Sequence, residues 1–102
     1  RGLGDVYKRQ VENRLLEHPA VREAVVVGVT NEDGLTKPCA CVLRAEPAEG
    51  DDATLEADLQ AFVRDGLAAY KYPRRVLFLE DLPRTHLGKV DRGAVRAMFD
   101  SG

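Results

Sequence analysis

The chain has no tryptophan, one methionine, two cysteines and a single serine. None of its apolar runs approaches the ~20 residues that a membrane-crossing helix needs. Each shortage excludes a class of function. The only serine, Ser101, has no histidine and acid around it in any usable pattern, which removes serine-nucleophile catalysis. Cys39 and Cys41 are too few for a structural zinc site, and neither His18 nor His86 stands at finger-like spacing from them. The two cysteines lie two apart in a strand-like run, so their side chains share one face, a poor geometry for a mutual disulfide. They read as small buried residues. No glycine-rich phosphate loop of the nucleotide-triphosphatase type occurs. No basic stretch leads into an apolar segment with a small-residue cleavage site, so a cytoplasmic protein without a membrane partner is expected.

The 102 residues present are 44% apolar and 31% charged, the balance of an ordinary globular domain. A chain of that length buries roughly 60–65% of its unfolded surface, enough for a core without staples. The net charge of −2 leaves no nucleic-acid footprint. The charge is unevenly spread. Residues 1–70 carry eight Lys/Arg against thirteen Asp/Glu, whereas residues 71–102 carry seven against four. A basic C-terminal third on an acidic chain is either a solvated face or a local site for an anion.

Periodicity predicts the elements. Val11 to Glu17 is helical, with Val11 and Leu15 on one face, and Pro19 ends it. Val21 to Val29 is a β-branched run that predicts a strand buried on both faces. Asn31 to Gly34 is a turn, Pro38 to Leu43 a second strand, and Glu46 to Asp52 an acidic exposed loop. Leu55, Leu59, Phe62, Val63 and Leu67 mark a long helix from about Thr54 to Ala69, capped by Asp52 or Thr54. Gly66 inside it is expected to cost about 1 kcal/mol relative to alanine. Val76 to Leu79 is a third strand and Leu82 to Gly88 a loop. Asp91 caps a last helix that carries Val95, Met98 and Phe99. The order α-β-β-α-β-α predicts a small two-layer α+β domain with a sheet of about three strands.

One segment carries possible chemistry: Leu82-Pro83-Arg84-Thr85-His86-Leu87-Gly88-Lys89-Val90-Asp91-Arg92. A glycine before a lysine, where a loop feeds a helix, lets the backbone take unusual angles and approach a ligand closely. The lysine adds a mobile point charge with three donors, suited to an anionic oxygen, although most lysines are simply solvated.

Leu82, Pro83, Thr85, Gly88, Lys89 and Arg92 together resemble the closing motif of the adenylate-forming superfamily of acyl-CoA synthetases, luciferases and peptide-synthetase adenylation domains. Tyr70-Lys71-Tyr72-Pro73-Arg74 is similar to that family's YKxPR stretch, and Val11 to Val29 to its helix-then-strand opening. The wording is closest to benzoate-type and other aromatic-acid CoA ligases, although Asp33 to Pro38 lacks the tryptophan-glycine pair of many members. The resemblance spans about residues 11–97. Residues 1–10 match none of the family's usual entry and are set apart as a stretch of vector, adapter or misassembly origin, so that 11–102 is expected to be the C-terminal lid domain without its large N-terminal domain.

The resemblance implies a two-step reaction. A carboxylic acid and Mg-ATP give an acyl-adenylate and pyrophosphate, and the thiol of coenzyme A then displaces AMP. It implies that Lys89 serves the first step, with Gly88 at the ligand, and that the domain rotates before the second. It further implies that Lys71 and Arg74 meet CoA phosphates and that Tyr70 stacks on adenine; from its position Tyr70 is equally a core residue closing the long helix. ATP and Mg2+ are expected to be held mainly by the large domain. The alternatives are an adenylation domain that loads a carrier protein, and a free-standing CoA- or nucleotide-binding module.

Overall fold

In a computed structural model of the chain, the described residues are 5–30, 32–45, 51–67 and 72–100. The elements follow in the expected order: α1 (Asp5–Leu16), β1 (Val21–Thr30), β2 (Thr36–Arg44), α2 (Asp52–Gly66), β3 (Val76–Leu79) and α3 (Arg92–Asp100). The sheet has the order β1-β2-β3, with β1 antiparallel to β2 and β2 parallel to β3. This is the α+β domain with a three-stranded sheet that the sequence predicts. The helices divide between the two faces of the sheet.

On one face Val11 and Leu15 of α1 and Leu59 and Val63 of α2 pack on Val26, Ala40, Val42 and Val76. On the other, Val95 and Phe99 of α3, together with Leu82, cover Val25, Val27, Cys39, Cys41 and Leu43. Because both faces are covered, β2 is buried from Pro38 to Leu43 and reads as a continuous apolar run instead of an alternating one. Strand parity in β1 changes at a bulge between Val21 and Glu23. The extra residue puts Val21 on the α1/α2 face with Val26, whereas Glu23 keeps the alternation of Val25 and Val27 on the α3 side.

The strands run one or two residues beyond the expected ends, to Thr30 in β1 and over Thr36–Arg44 in β2, and three helix boundaries also differ. α1 begins at Asp5, six residues before the first apolar-periodic position, because a helix continues through Lys8 to Gln10 without an apolar face of its own. α2 is capped by Asp51, whose carboxylate accepts from Thr54 N at 2.8 Å, and not by Asp52 or Thr54. α2 ends at Gly66, which is therefore the last helical residue and not an interior one. A Cβ there would collide with the Arg14 guanidinium, which sits 3.7 Å from the Phe62 ring centroid and donates to Phe62 O at 3.0 Å. Gly66 thus makes room for the α1–α2 contact.

The outer edge of β1 is covered by side chains. Val26 N donates to Glu12 Oε2 at 2.8 Å, Val26 O accepts from Arg92 Nη1 at 3.1 Å, and Gly28 O accepts from Arg96 Nε at 3.1 Å. An edge with its donors and acceptors occupied resists pairing with another chain.

Candidate active-site hairpin and a cationic aromatic patch

The Leu82–Arg92 segment, a loop by composition, is a short hairpin. Leu82 is buried in the α3-side core and anchors its start. Arg84 and Val90 pair antiparallel, Thr85 N donates to Lys89 O at 2.7 Å, and Gly88 N donates to Thr85 O at 2.9 Å. The Thr85 hydroxyl accepts from Leu87 N at 3.2 Å. Gly88 closes the turn with φ +87°, a left-handed value that explains why glycine stands there. A Cβ at Gly88 would meet nothing within 4 Å, so the requirement comes from the backbone angle and not from crowding within this chain.

Asp91 N then donates to Pro83 O at 2.8 Å, and Asp91 Oδ1 caps α3 by accepting from Ala94 N at 3.0 Å. The hairpin is tied at both ends to the N-terminal third. Arg84 Nη2 lies 3.2 Å from Glu23 Oε1, and Arg92 Nη1 lies 3.0 Å from Glu12 Oε2. Lys89 is exposed on this framework, and its ammonium has no ion pair or hydrogen bond among the described residues. Leu87, two residues earlier, is 73% exposed.

Of the second set of expected ligand residues, Tyr70 and Lys71 lie outside the described residues. Arg74 is described, and the fold brings it beside residues the sequence reading did not select. The Arg74 guanidinium lies 4.7 Å from the centroid of the half-buried Tyr72 ring, and that of Arg64 from α2 lies 4.8 Å from it. The backbone beneath is pinned, because Gln60 Nε2 donates to Pro73 O at 3.0 Å and Arg74 N donates to Pro38 O at 2.8 Å. Neither guanidinium has a carboxylate partner among the described residues. Two unneutralised guanidiniums held over one aromatic ring are equipped to take phosphate groups. Arg64 stands eight positions before Tyr72 with the end of a helix between them, so no local pattern announces the pair. An arginine on the exposed face near the helix end was the only available signal.

Other titratable groups are structural. His18 has a carboxylate partner: its Nε2 lies 2.8 Å from Asp58 Oδ2, while Nδ1 accepts from Ala20 N at 3.1 Å. Both ring nitrogens are occupied, and the ring meets Phe62 edge-on, so His18 brackets the end of α1 to α2. The partner comes from 40 residues away, beyond the reach of a local reading. Cys39 and Cys41 are free and buried. Burial raises both thiols, Cys41 to about 11, which leaves them unsuited to act as nucleophiles. Among the described residues no group of three His, Cys, Asp or Glu side chains could hold a metal ion. No described helix is long and apolar enough to cross a membrane. A pocket between α1, β1 and α3 is lined by Lys8, Arg9, Glu12, Arg92 and Arg96, but Glu12, Arg92 and Arg96 already serve the β1 edge.

The family model described as the AMP-binding enzyme C-terminal domain matches residues 10–89. The benzoate–CoA ligase of Thauera aromatica is 46% identical over 88 residues, which is 86% of this chain and 16% of that protein. The 2,3-dihydroxybenzoate-AMP ligase of Bacillus subtilis (strain 168) is 41% identical over 97 residues, covering 94% of this chain and 17% of that protein. Among solved structures, a benzoate CoA ligase from Burkholderia xenovorans LB400 superposes with a TM-score of 0.77 at 43% identity, over 87% of this chain and 18% of the other. The chain therefore spans less than a fifth of the length of these relatives.

Proposed function

The chain belongs to the family of AMP-binding enzyme C-terminal domains, and from that premise we propose that it is the mobile domain of a cytoplasmic, ATP-dependent acid:CoA ligase acting on an aromatic carboxylic acid. The observation that carries the proposal is the Lys89 ammonium, left without a partner on an ordered hairpin.

In the first step a carboxylate oxygen attacks the α-phosphorus of ATP and pyrophosphate leaves. Two anions must meet, and negative charge builds at phosphorus. A cation held at that point offsets the repulsion and stabilises the transition state, an effect worth roughly 10²–10³ in rate. The Gly88 turn and the paired stem order the backbone from which Lys89 extends, so less ordering remains when it engages. In the second step the CoA sulfur attacks the acyl carbon and AMP leaves with the bonding electrons. The Arg64–Tyr72–Arg74 patch, with Lys71 and Tyr70 in the adjoining stretch, would take the CoA phosphates and adenine. That patch favours CoA over a carrier protein as acceptor, since a carrier's pantetheine arm brings no adenine. ATP and Mg2+ would be held by the large domain, because this chain supplies no metal-ligand cluster among its described residues.

The test is a fusion in which this chain replaces the C-terminal domain of the Burkholderia xenovorans benzoate CoA ligase. The fusion should catalyse benzoate-dependent pyrophosphate exchange and form benzoyl-CoA, whereas the chain alone should do neither. Lys89→Ala in the fusion should slow adenylation about 10²-fold or more, the loss expected of one transition-state donor. It should change thioester formation from preformed benzoyl-AMP far less. Equal losses in both half-reactions, or a loss in neither, would mean that Lys89 does not have this role.

A further inference from the structure

The motif residue Arg84 and the strand residue Glu23 have no place in the chemistry above, yet they meet across 61 residues of sequence. Glu23 stands immediately after the β1 bulge, on the face of the sheet that α3 and Leu82 cover. Regular pairing of Glu23 with Leu43 continues the alternation of Val25 and Val27, which holds position 23 on that face. At the position it takes, its carboxylate lies 3.2 Å from Arg84 Nη2, while Asp81 lies 3.8 Å from the same nitrogen. Arg84 is the first residue of the hairpin stem, it faces Val90 across the pair, and Val90 adjoins Lys89. Leu82 and Val90 pack on the α3-side core and set the depth of the stem, and Arg92, beyond Val90, bonds Val26 O and Glu12; on the Arg84 side of the stem the polar tie to β1 is Glu23.

We propose that Glu23 and Arg84 are positioning residues for Lys89: their ion pair fixes the rotation of the hairpin stem on β1 and so the direction in which the ammonium extends. The inference rests on the proposed role of Lys89 in adenylation. Both side chains are partly exposed, 43% for Glu23 and 37% for Arg84, so the pair contributes little to global stability. Its effect should therefore appear in the geometry of the hairpin before it appears in unfolding.

The test uses a double-mutant cycle, Glu23→Gln, Arg84→Gln and the double variant, in the full chain and in the fusion described above. In the chain, heteronuclear NOE values for the amides of residues 86–89 should fall in all three variants to a similar level, with the melting temperature within about 3 °C of the parent. In the fusion, each single variant should slow adenylation about threefold to fivefold, the range of one exposed ion pair. The double variant should be no slower than the worse single one, Arg84→Lys should restore most of the rate, and thioester formation should be unaffected. Additive losses, equal losses in both half-reactions, or unchanged adenylation beside a Lys89→Ala variant that is severely slowed would overturn the positioning role alone. If Lys89→Ala itself adenylates normally, the role of Lys89 fails and the positioning claim fails with it.

Discussion

Arg92 closes the motif that contains Lys89, and the structure gives it a mechanical task whose loss can be measured. Its Nη1 donates to Val26 O at 3.1 Å and to Glu12 Oε2 at 3.0 Å, while the same Glu12 oxygen accepts from Val26 N at 2.8 Å. The edge of β1, the C-terminal half of α1 and the start of α3 are joined at one point. Arg92→Met keeps most of the aliphatic stem and removes both bonds. Val26 O loses its side-chain donor, and the Glu12 carboxylate, 14% exposed, loses its counter-ion. A hydrogen bond involving a charged group contributes about 1.5–3 kcal/mol. The Arg92 side chain is 52% exposed, so water recovers part of this, and the expected cost is about 1–2 kcal/mol. For a domain of this size that lowers the urea midpoint by about 1 M and the melting temperature by about 5–10 °C. Arg92→Lys should recover roughly half of the loss, because an ammonium keeps the charge but not the planar fork. Glu12→Gln combined with Arg92→Met should cost less than the two single changes added together. The assay is urea unfolding of the chain followed by far-UV circular dichroism. A midpoint for Arg92→Met within about 0.2 M of the parent would refute the reasoning, since the network would then be contributing nothing net.

Gly88→Ala should cost about 1–2 kcal/mol in the hairpin through the left-handed backbone alone, since nothing stands within 4 Å to clash. Gly88→Asn should cost less, and cross-hairpin NOEs between residues 85 and 89 are the readout. Millimolar CoA added to the chain should shift the Arg64 and Arg74 side-chain resonances and the Tyr72 ring; shifts confined to other surfaces would remove the preference for CoA over a carrier protein. Burial holds the Cys41 thiol up at about 11, above its unfolded value, so the native state keeps a proton that the unfolded chain releases. The resulting contribution is intact below about pH 8.5 and is lost as pH rises towards 11, with a slope of up to about 1.4 kcal/mol per pH unit. Stability measured from pH 8 to 11 should fall more steeply for the parent than for Cys41→Ala, and parallel curves would contradict the burial argument.

The features legible in the sequence are those written in neighbouring residues. β-Branched runs and the period of Leu55, Leu59 and Val63 set three strands and the long helix nearly in place, and Asp91 was recognisable as a cap from its position alone. The illegible features depend on residues far apart in the chain. The meeting of Glu23 with Arg84, the Asp58 partner of His18 and the meeting of Arg64 with Tyr72 have no period and no local spacing. The start of α1 was hidden for another reason: Lys8 to Gln10 extend a helix with charged and polar residues that show no apolar face. Lys89 belongs to both groups. Gly88-Lys89 was visible as a pair of letters, but a solvated lysine and a catalytic one look alike in sequence. The fold adds one distinction, the partner that each neighbouring cation finds. Of the five cations from Arg75 to Arg96, Arg75 donates to Phe99 O, Arg84 pairs with Glu23, Arg92 holds Glu12, and Arg96 holds Gly28 O. Each of these four arginines is tied to an element distant in sequence. Lys89, on the most tightly bonded turn in the segment, is the one left without a partner among the described residues. A framework that orders the backbone around a charge while leaving the charge unneutralised suits a ligand that the chain does not itself contain, and that is the property the proposed adenylation role requires.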